Sequence, residues 1–471
     1  VPSIVSPQET GPKARAVHIL NRIGFGPRPG EIDRVLLRGA ERYIEDQLFP
    51  EDIDDRAAED RVATLSSWSA SIAELLARYP QNMGSGRLLE ELAYARLIRA
   101  VTSERQLYEV MVDFWFNHFN VYAPEGFTRY ATASYERDAI RPYALGRFRD
   151  LLGATARHPA MLYYLDNWLS SVPRRQGNRI VGGLNENYGR ELLELHTLGV
   201  DGGYTQEDVI QVSRAFTGWT LDNIRSSGQF RFDARIHDPG DKTILGRRIA
   251  SGGIEEGEQV LDLLAEHDST ARFVSYRLCQ RFIADDPPDS AVDRAAATFR
   301  ATRGDIRRVM ATILGSREFF DPVYWGSKPK TPLEYVASAL RALGANPSNY
   351  AGPAQAVSNM GMPLYAQVPP TGYSNDGREW MNASGLLNRM NFVLDVLSGA
   401  ARGVNPQLDS LLGNADRQNP TAVGQQVAEQ IFGYRMSRTT WESATRRPAS
   451  NVSVPVRVVS LMLAGPEFQA R

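Results

Sequence analysis

The sequence predicts a mainly α-helical protein, one large multi-helix domain with a small inserted β-hairpin. Apolar residues recur at helical spacing along most of the chain, as in AVHILNRI, ERQLYEVMVDFWFNHF and PLEYVASALRALG. Alternation with a period of two is clear in one short stretch, Phe230, Phe232, Ala234 and Ile236. The 471 residues, 42% of them hydrophobic, supply a core larger than one small domain holds.

Taken in order, the first 50 residues read as helix, tight turn at Gly24 and Gly26, then a second helix after Pro27 and Pro29. His18, among Val17, Ile19 and Leu20, reads as a core or interface histidine. Residues 51–105 form charged, alanine-rich scaffold helices interrupted at PQNMGSGR. The next helix is apolar nearly all round, which means burial, yet Glu109, Asp113, Asn117 and Asn120 make a narrow polar stripe along it. A buried stripe of this kind needs partners, water or a ligand, so the helix is expected to line a polar cavity. Helices then break at Pro142 and Pro159, with His158 as a helix-start residue. A Gly/Arg-rich loop leads into the stretch Gly182–Trp219. The hairpin is expected at about residues 228–250, with His237 and Asp238 at its DPGD turn and Lys242 just beyond. Helices resume from Ile254 to Ser316, and WGSKPKTP marks a boundary. That divides the chain into a main helical domain, 1–325, carrying the polar site, and a C-terminal helical subdomain, 326–471. The latter holds a loop at about 360–381 rich in Pro, Gly, Tyr, Asn and Trp, residue types that bind ligands from a rigid scaffold.

Composition excludes several classes. A formal net charge of −2 leaves no electrostatic footprint for nucleic acid. No apolar run approaches the roughly 18 residues of a membrane span. The single cysteine, Cys279, sits between apolar helical positions and reads as a buried, inert thiol. The chain starts at Val1 without methionine, which reads as a processed or trimmed product. Neither a phosphate-binding G-x-x-x-x-G-K-[ST] loop nor a nucleophile-elbow GxSxG is present.

The stretch Gly182–Trp219 is the densest in functional groups. Asn185, Glu186 and Asn187 follow two glycines as a helix start, with a negative charge near the positive end of the dipole. On that helix Asn187, Arg190, Glu191, Glu194 and Thr197 share an arc of roughly 120°, with Tyr188 and His196 on the other side. Carboxylates three apart have Cβ atoms about 5–6 Å apart, and two beside an arginine can part in pKa as acid–base work requires. His196, on the apolar face, reads as a hydrogen-bonded core histidine. A catalytic metal is not expected, since the spacings match neither HExxH nor ExxH, while a bound Ca²⁺ at the carboxylates stays open.

The strings DFWFNHFN, ERDAIRPYALGRF, HPAMLYYLDN, NENYGRELLELHTLGVDGGYTQEDV, AFTGW, HDPGDKTILG and PLEYVASALRALG resemble the bacterial family DUF1800 over most of the chain. The resemblance implies a mostly helical protein of an exported bacterial family, often encoded beside a second family similar to sulfatases and alkaline phosphatases. It brings no activity with it.

The expectation that follows is an extracytoplasmic hydrolase, periplasmic or secreted, acting on a polysaccharide or oligosaccharide through paired carboxylates. Glu186, Glu191, Glu194, Asp113 and Asp238 are the candidate catalytic groups. Asn117, His118, Asn185, Asn187, Tyr188, Arg190, Trp219, His237, Tyr373 and Trp380 are the candidate substrate contacts, the aromatic ones, with Trp115, as sugar platforms. No cofactor is expected, the ligand class is a glycan or other small molecule, and the oligomeric state is left open. The competing expectations are a non-catalytic periplasmic binding or assembly protein and a metal-dependent hydrolase. The polar stripe around Asp113 and Asn117 is expected to meet the Glu191 and Glu194 face.

Overall fold

The computed structural model describes residues 10–80, 83–176, 179–446 and 452–471. Helices dominate them, and every sheet among them has two antiparallel strands. The protein is mainly α.

The central helices form where the sequence offers apolar residues on every side. In Gln106–His118, Leu107, Val110, Met111, Val112 and Trp115 are fully buried. All residues of Pro332–Ala342 are buried, and its start is set by proline at the first turn and by the reciprocal Thr331/Glu334 cap. It packs on Gly86–Thr102, which in turn packs on Gln106–His118. One buried apolar cluster runs from Ala16 to Phe468, so helices from both ends of the chain share a core. Cys279 lies inside it, and burial pushes its thiol up to about 12. His158 caps the Pro159–Tyr164 helix, its Nδ1 accepting from the Ala160 amide at 3.2 Å.

Two details differ from the periodic reading. The strand Phe230–Phe232 pairs back onto Trp219–Leu221, with Trp219 opposite Phe232. A separate hairpin joins Lys242–Ile244 to Arg247–Ile249 through Leu245 and Gly246, both at positive φ as a tight primed turn demands. A further small pair, Arg174–Gln176 with Arg179–Val181, lies in the Gly/Arg-rich loop. The second difference concerns Gly182–Trp219. The helix begins as α over Asn187–Glu191 and widens into a π-helical turn over Leu192–Thr197, where Leu198 N–H reaches the Leu193 carbonyl at 2.8 Å. A π turn carries an extra residue, so a projection at 100° per residue loses its phase beyond Glu191. Tyr135–Ile140 is π-helical too.

Candidate functional site

The polar stripe of Gln106–His118 is satisfied by protein. Arg96 bridges Asp113 at 2.5 Å and Glu136 at 2.6 Å, and Tyr365 donates its hydroxyl to Glu136 at 2.5 Å. Glu109 takes both arms of Arg141, at 2.5 and 2.9 Å. Arg141 also lies 3.6 Å from Glu136. Burial pushes the Asp113 carboxyl up, with Arg96 opposing, whereas at Glu136 burial is outweighed by Arg96 and Arg141 and the carboxyl is held below its ordinary value. Asn117 clamps the backbone of Tyr373 in both directions, donating to its carbonyl at 2.8 Å and accepting from its amide at 2.7 Å. Asn120 donates to the Gln367 and Pro369 carbonyls. The stripe thus fastens the 360–381 loop. The spaces left beside Asp113 are about 20 and 30 Å³, room for a water and little more. Asp113 and Asn117 are therefore corrected from catalytic and substrate-binding candidates to structural partners.

The DPGD turn is likewise closed. Arg214 grips Asp238 at 2.8 and 3.0 Å and, against partial burial, holds its carboxyl down at about 2. His237 bonds the Thr217 carbonyl at 2.7 Å and Glu256 at 3.1 Å, and Lys242 pairs with the fully buried Glu256. Asp238 has no proton to give near neutrality, and His237 is walled in. Trp219 and Tyr188 cannot serve as platforms either. Both are fully buried, and Gly257 packs so tightly on the Trp219 indole that a Cβ there would lie 2.6 Å from the ring. Trp115 is equally buried.

Although the two polar faces were expected to meet, among the described residues no hydrogen bond or ion pair joins the Asp113/Asn117 stripe to the Glu191/Glu194 face. What joins the two elements is His118, whose Nε2 lies 3.1 Å from the His196 carbonyl. Burial drives both imidazoles down to about 3, so each is neutral near pH 7. That corrects His118 from a substrate contact to a packing group, while His196 is buried as expected but its Nε2 has no hydrogen-bond partner. Asp113 turns to Arg96 and Asn117 to Tyr373. Glu194 accepts from Tyr204, and Glu191 acts electrostatically on the Tyr164 phenol.

Around Glu191 the groups remain accessible. Glu191 and Glu194 are both half-buried. Partial burial and then Glu194 raise the Glu191 carboxyl, with Arg190 opposing. Tyr204 donates to Glu194 at 3.4 Å. Glu186 is held by Arg190 at 3.1 Å and Gln206 at 2.8 Å, Asn185 caps the Asn187 amide at 2.9 Å, and the Asn187 side chain is exposed. Neighbours that sequence reasoning missed complete the surface. Tyr164 donates to the Val368 carbonyl at 2.6 Å, and its phenol is pushed up by burial and by the carboxylates of Glu191 and Glu125. Glu125 is exposed on the turn before Phe127, and partial desolvation together with Asp166 raises its carboxyl. Tyr163 and Trp168, both half-buried, stack 5.5 Å apart beside that turn. The strings HPAMLYYLDNW and APEG held these residues in plain view, but a helix end and a turn show no periodicity to single them out. Tyr373 and Trp380 stay half-buried in their loop, with ring centroids 5.8 Å apart, the Tyr373 hydroxyl on the Pro363 carbonyl and the Trp380 indole N–H on the Ser374 carbonyl.

Among the described residues no group of three or more His, Cys, Asp or Glu side chains is arranged to hold a metal ion, and no helix is long and apolar enough to cross a membrane. No curated protein and no solved structure matches the chain. The model of one family, described as a protein of unknown function, DUF1800, matches residues 18–470. With nearly its whole length matched, the chain belongs to the DUF1800 family.

Proposed function

We propose that this protein is an extracytoplasmic hydrolase of a polysaccharide or oligosaccharide, and that Glu191 is its proton donor. The observation that carries the reading is a half-buried carboxyl, raised by burial and by a second carboxylate, that acts on the half-buried phenol of Tyr164, next in the chain to the stacked Tyr163. A glycosidic oxygen needs an acid that still holds its proton near neutrality, and sugar rings need flat apolar faces. Glu194 sits on the same helix turn as Glu191 and so does not face it across a bond. Its part is to hold the proton on Glu191 by like-charge repulsion. Glu125, which acts on the Tyr164 phenol together with Glu191, supplies the second carboxylate.

The test is reducing-sugar release from a polysaccharide panel by the wild type, Glu191→Gln and Glu125→Gln. Glu191→Gln is expected to lose about 10²-fold or more in kcat with an unchanged Tm, the usual size of a general-acid contribution. Wild-type turnover by a folded Glu191→Gln protein removes the assignment. The non-catalytic binding or assembly reading draws support from the closed state of the Asp113 and Asp238 clusters. It is favoured if the panel is bound by wild type and Glu191→Gln alike without turnover.

A further inference from the structure

A cavity of about 340 Å³ opens between the N-terminal helix Pro12–Arg22, the Trp325–Lys330 segment, the end of Pro420–Phe432 and the last residues of the chain. Several polar atoms of the residues that line it are buried and left unanswered. Lys330 is 2% exposed, and no carboxylate among the described residues lies within 4.0 Å of its ammonium, whose close neighbour is the face of Phe468 at 4.0 Å. Arg471 is 4% exposed and touches Glu334 through Nε at 3.1 Å, but its Nη1 has no hydrogen-bond partner. The Trp325 indole N–H is also buried without an acceptor, and His18 stacks on that indole at 5.2 Å. On the Pro12–Arg22 side the buried acceptors His18 Nδ1 and Asn21 Oδ1 are unanswered as well.

Charge behind this lining points the same way. Arg22, Arg281, Lys328, Lys330, Arg389 and Arg471 are all buried and act on one another electrostatically. Among the described residues, the carboxylates within ion-pair reach of them are Glu334, shared by Arg281 and Arg471, and Asp285, on Lys328. Arg22 and Arg389 spend their hydrogen bonds on neutral groups, mainly backbone carbonyls. Burying cations in this excess is costly unless an anion joins them. The burial pushes the Lys330 ammonium down to about 7 and Arg471 down to about 9.

We infer that this cavity is a binding site for a small organic acid, whose anionic head is held by Lys330 and Arg471 and whose flat apolar body packs between Trp325 and Phe468. The lining shares no residue with the Glu191 surface, so the site stands whether or not that surface is catalytic.

Calorimetric titration of the full chain with sodium benzoate, phenyl phosphate and the neutral benzyl alcohol tests it. Benzoate or phenyl phosphate is expected to saturate one site, the tighter of the two naming the head group, with benzyl alcohol at least about tenfold weaker, the size of one charge-assisted hydrogen bond. Lys330→Met should weaken the anion by about tenfold or more, and Lys330→Arg should keep most of the affinity. A ligand-induced change in tryptophan emission should vanish in Trp325→Phe while the binding heat persists, which places the ligand in the cavity independently of the lysine variants. Equal binding of benzyl alcohol, no saturable binding of either anion at millimolar concentration, or wild-type affinity in a folded Lys330→Met protein overturns the inference.

Discussion

Two adjoining assemblies of buried charge, with Asp113 of one acting on Arg281 and Arg471 of the other, have opposite balances. Around the Gln106–His118 helix, Asp113, Glu136 and Glu109 face Arg96 and Arg141, every carboxylate has a guanidinium within 4.0 Å, and the remaining spaces are water-sized. Around Lys330 six cations have, among the described residues, two carboxylates within that reach and a cavity beside them. Buried polar residues are common to both, so burial alone does not distinguish framework from site. The separating features are whether the charges sum close to zero and whether there is room for something else.

Substitutions that remove one charge from each assembly break the comparison most directly. Arg96→Met strands Asp113 and Glu136, and is expected to cost about 3–5 kcal/mol in urea unfolding at pH 7. Lys330→Met removes a charge that has no carboxylate within 4.0 Å among the described residues and is answered by Glu334 only from farther off, and it should leave stability unchanged or raise it by up to roughly 2 kcal/mol. The pH dependence fixes the sign. The folded pKa of Lys330 is depressed to about 7, so between pH 7 and the lysine's ordinary value the unfolded chain binds the extra proton and stability rises with pH. Any gain from Lys330→Met is therefore largest at or below pH 7 and fades toward pH 10. Equal destabilisation by the two variants would erase the distinction between the assemblies.

A smaller effect comes from the histidines that join the helices. His118 and His196 have folded pKa values near 3, below the ordinary histidine value, so their contribution is full above pH 6.5 and is lost as pH falls through the window from 6.5 toward 3. Each should cost roughly 2 kcal/mol between pH 6.5 and 5. A His196→Gln variant should flatten that limb of the stability profile, and an unchanged slope would mean the imidazole protonates without opening the interface.

Much of this was legible in the residues. The all-round apolar pattern of ERQLYEVMVDFWFNHF announced a buried helix, and His196 is the buried histidine expected, though its Nε2 lacks the hydrogen bond expected of it. Partnership was the illegible part. Asp113 is closed by Arg96, seventeen residues earlier, and Asp238 by Arg214, twenty-four residues earlier, and neither pairing follows any helical or strand period. The π turn at Leu192–Thr197 hid similarly, because an extra residue per turn leaves no mark on composition. Lys330 stood in a turn-like KPKTP string, and no periodicity marks a lysine there as buried.

The fastening of the 360–381 loop bears on how the chain reaches this state. Asn117 meets Tyr373 across 256 residues, Asn120 meets Gln367 across 247 and Glu136 meets Tyr365 across 229. Such closures are slow, because the chain entropy of a long loop is lost before its contacts form. During synthesis Asp113 and Glu109 of the Gln106–His118 helix find Arg96 and Arg141 close by in the chain, whereas the Asn117 amide must wait for Tyr373 until more than two hundred further residues have been made.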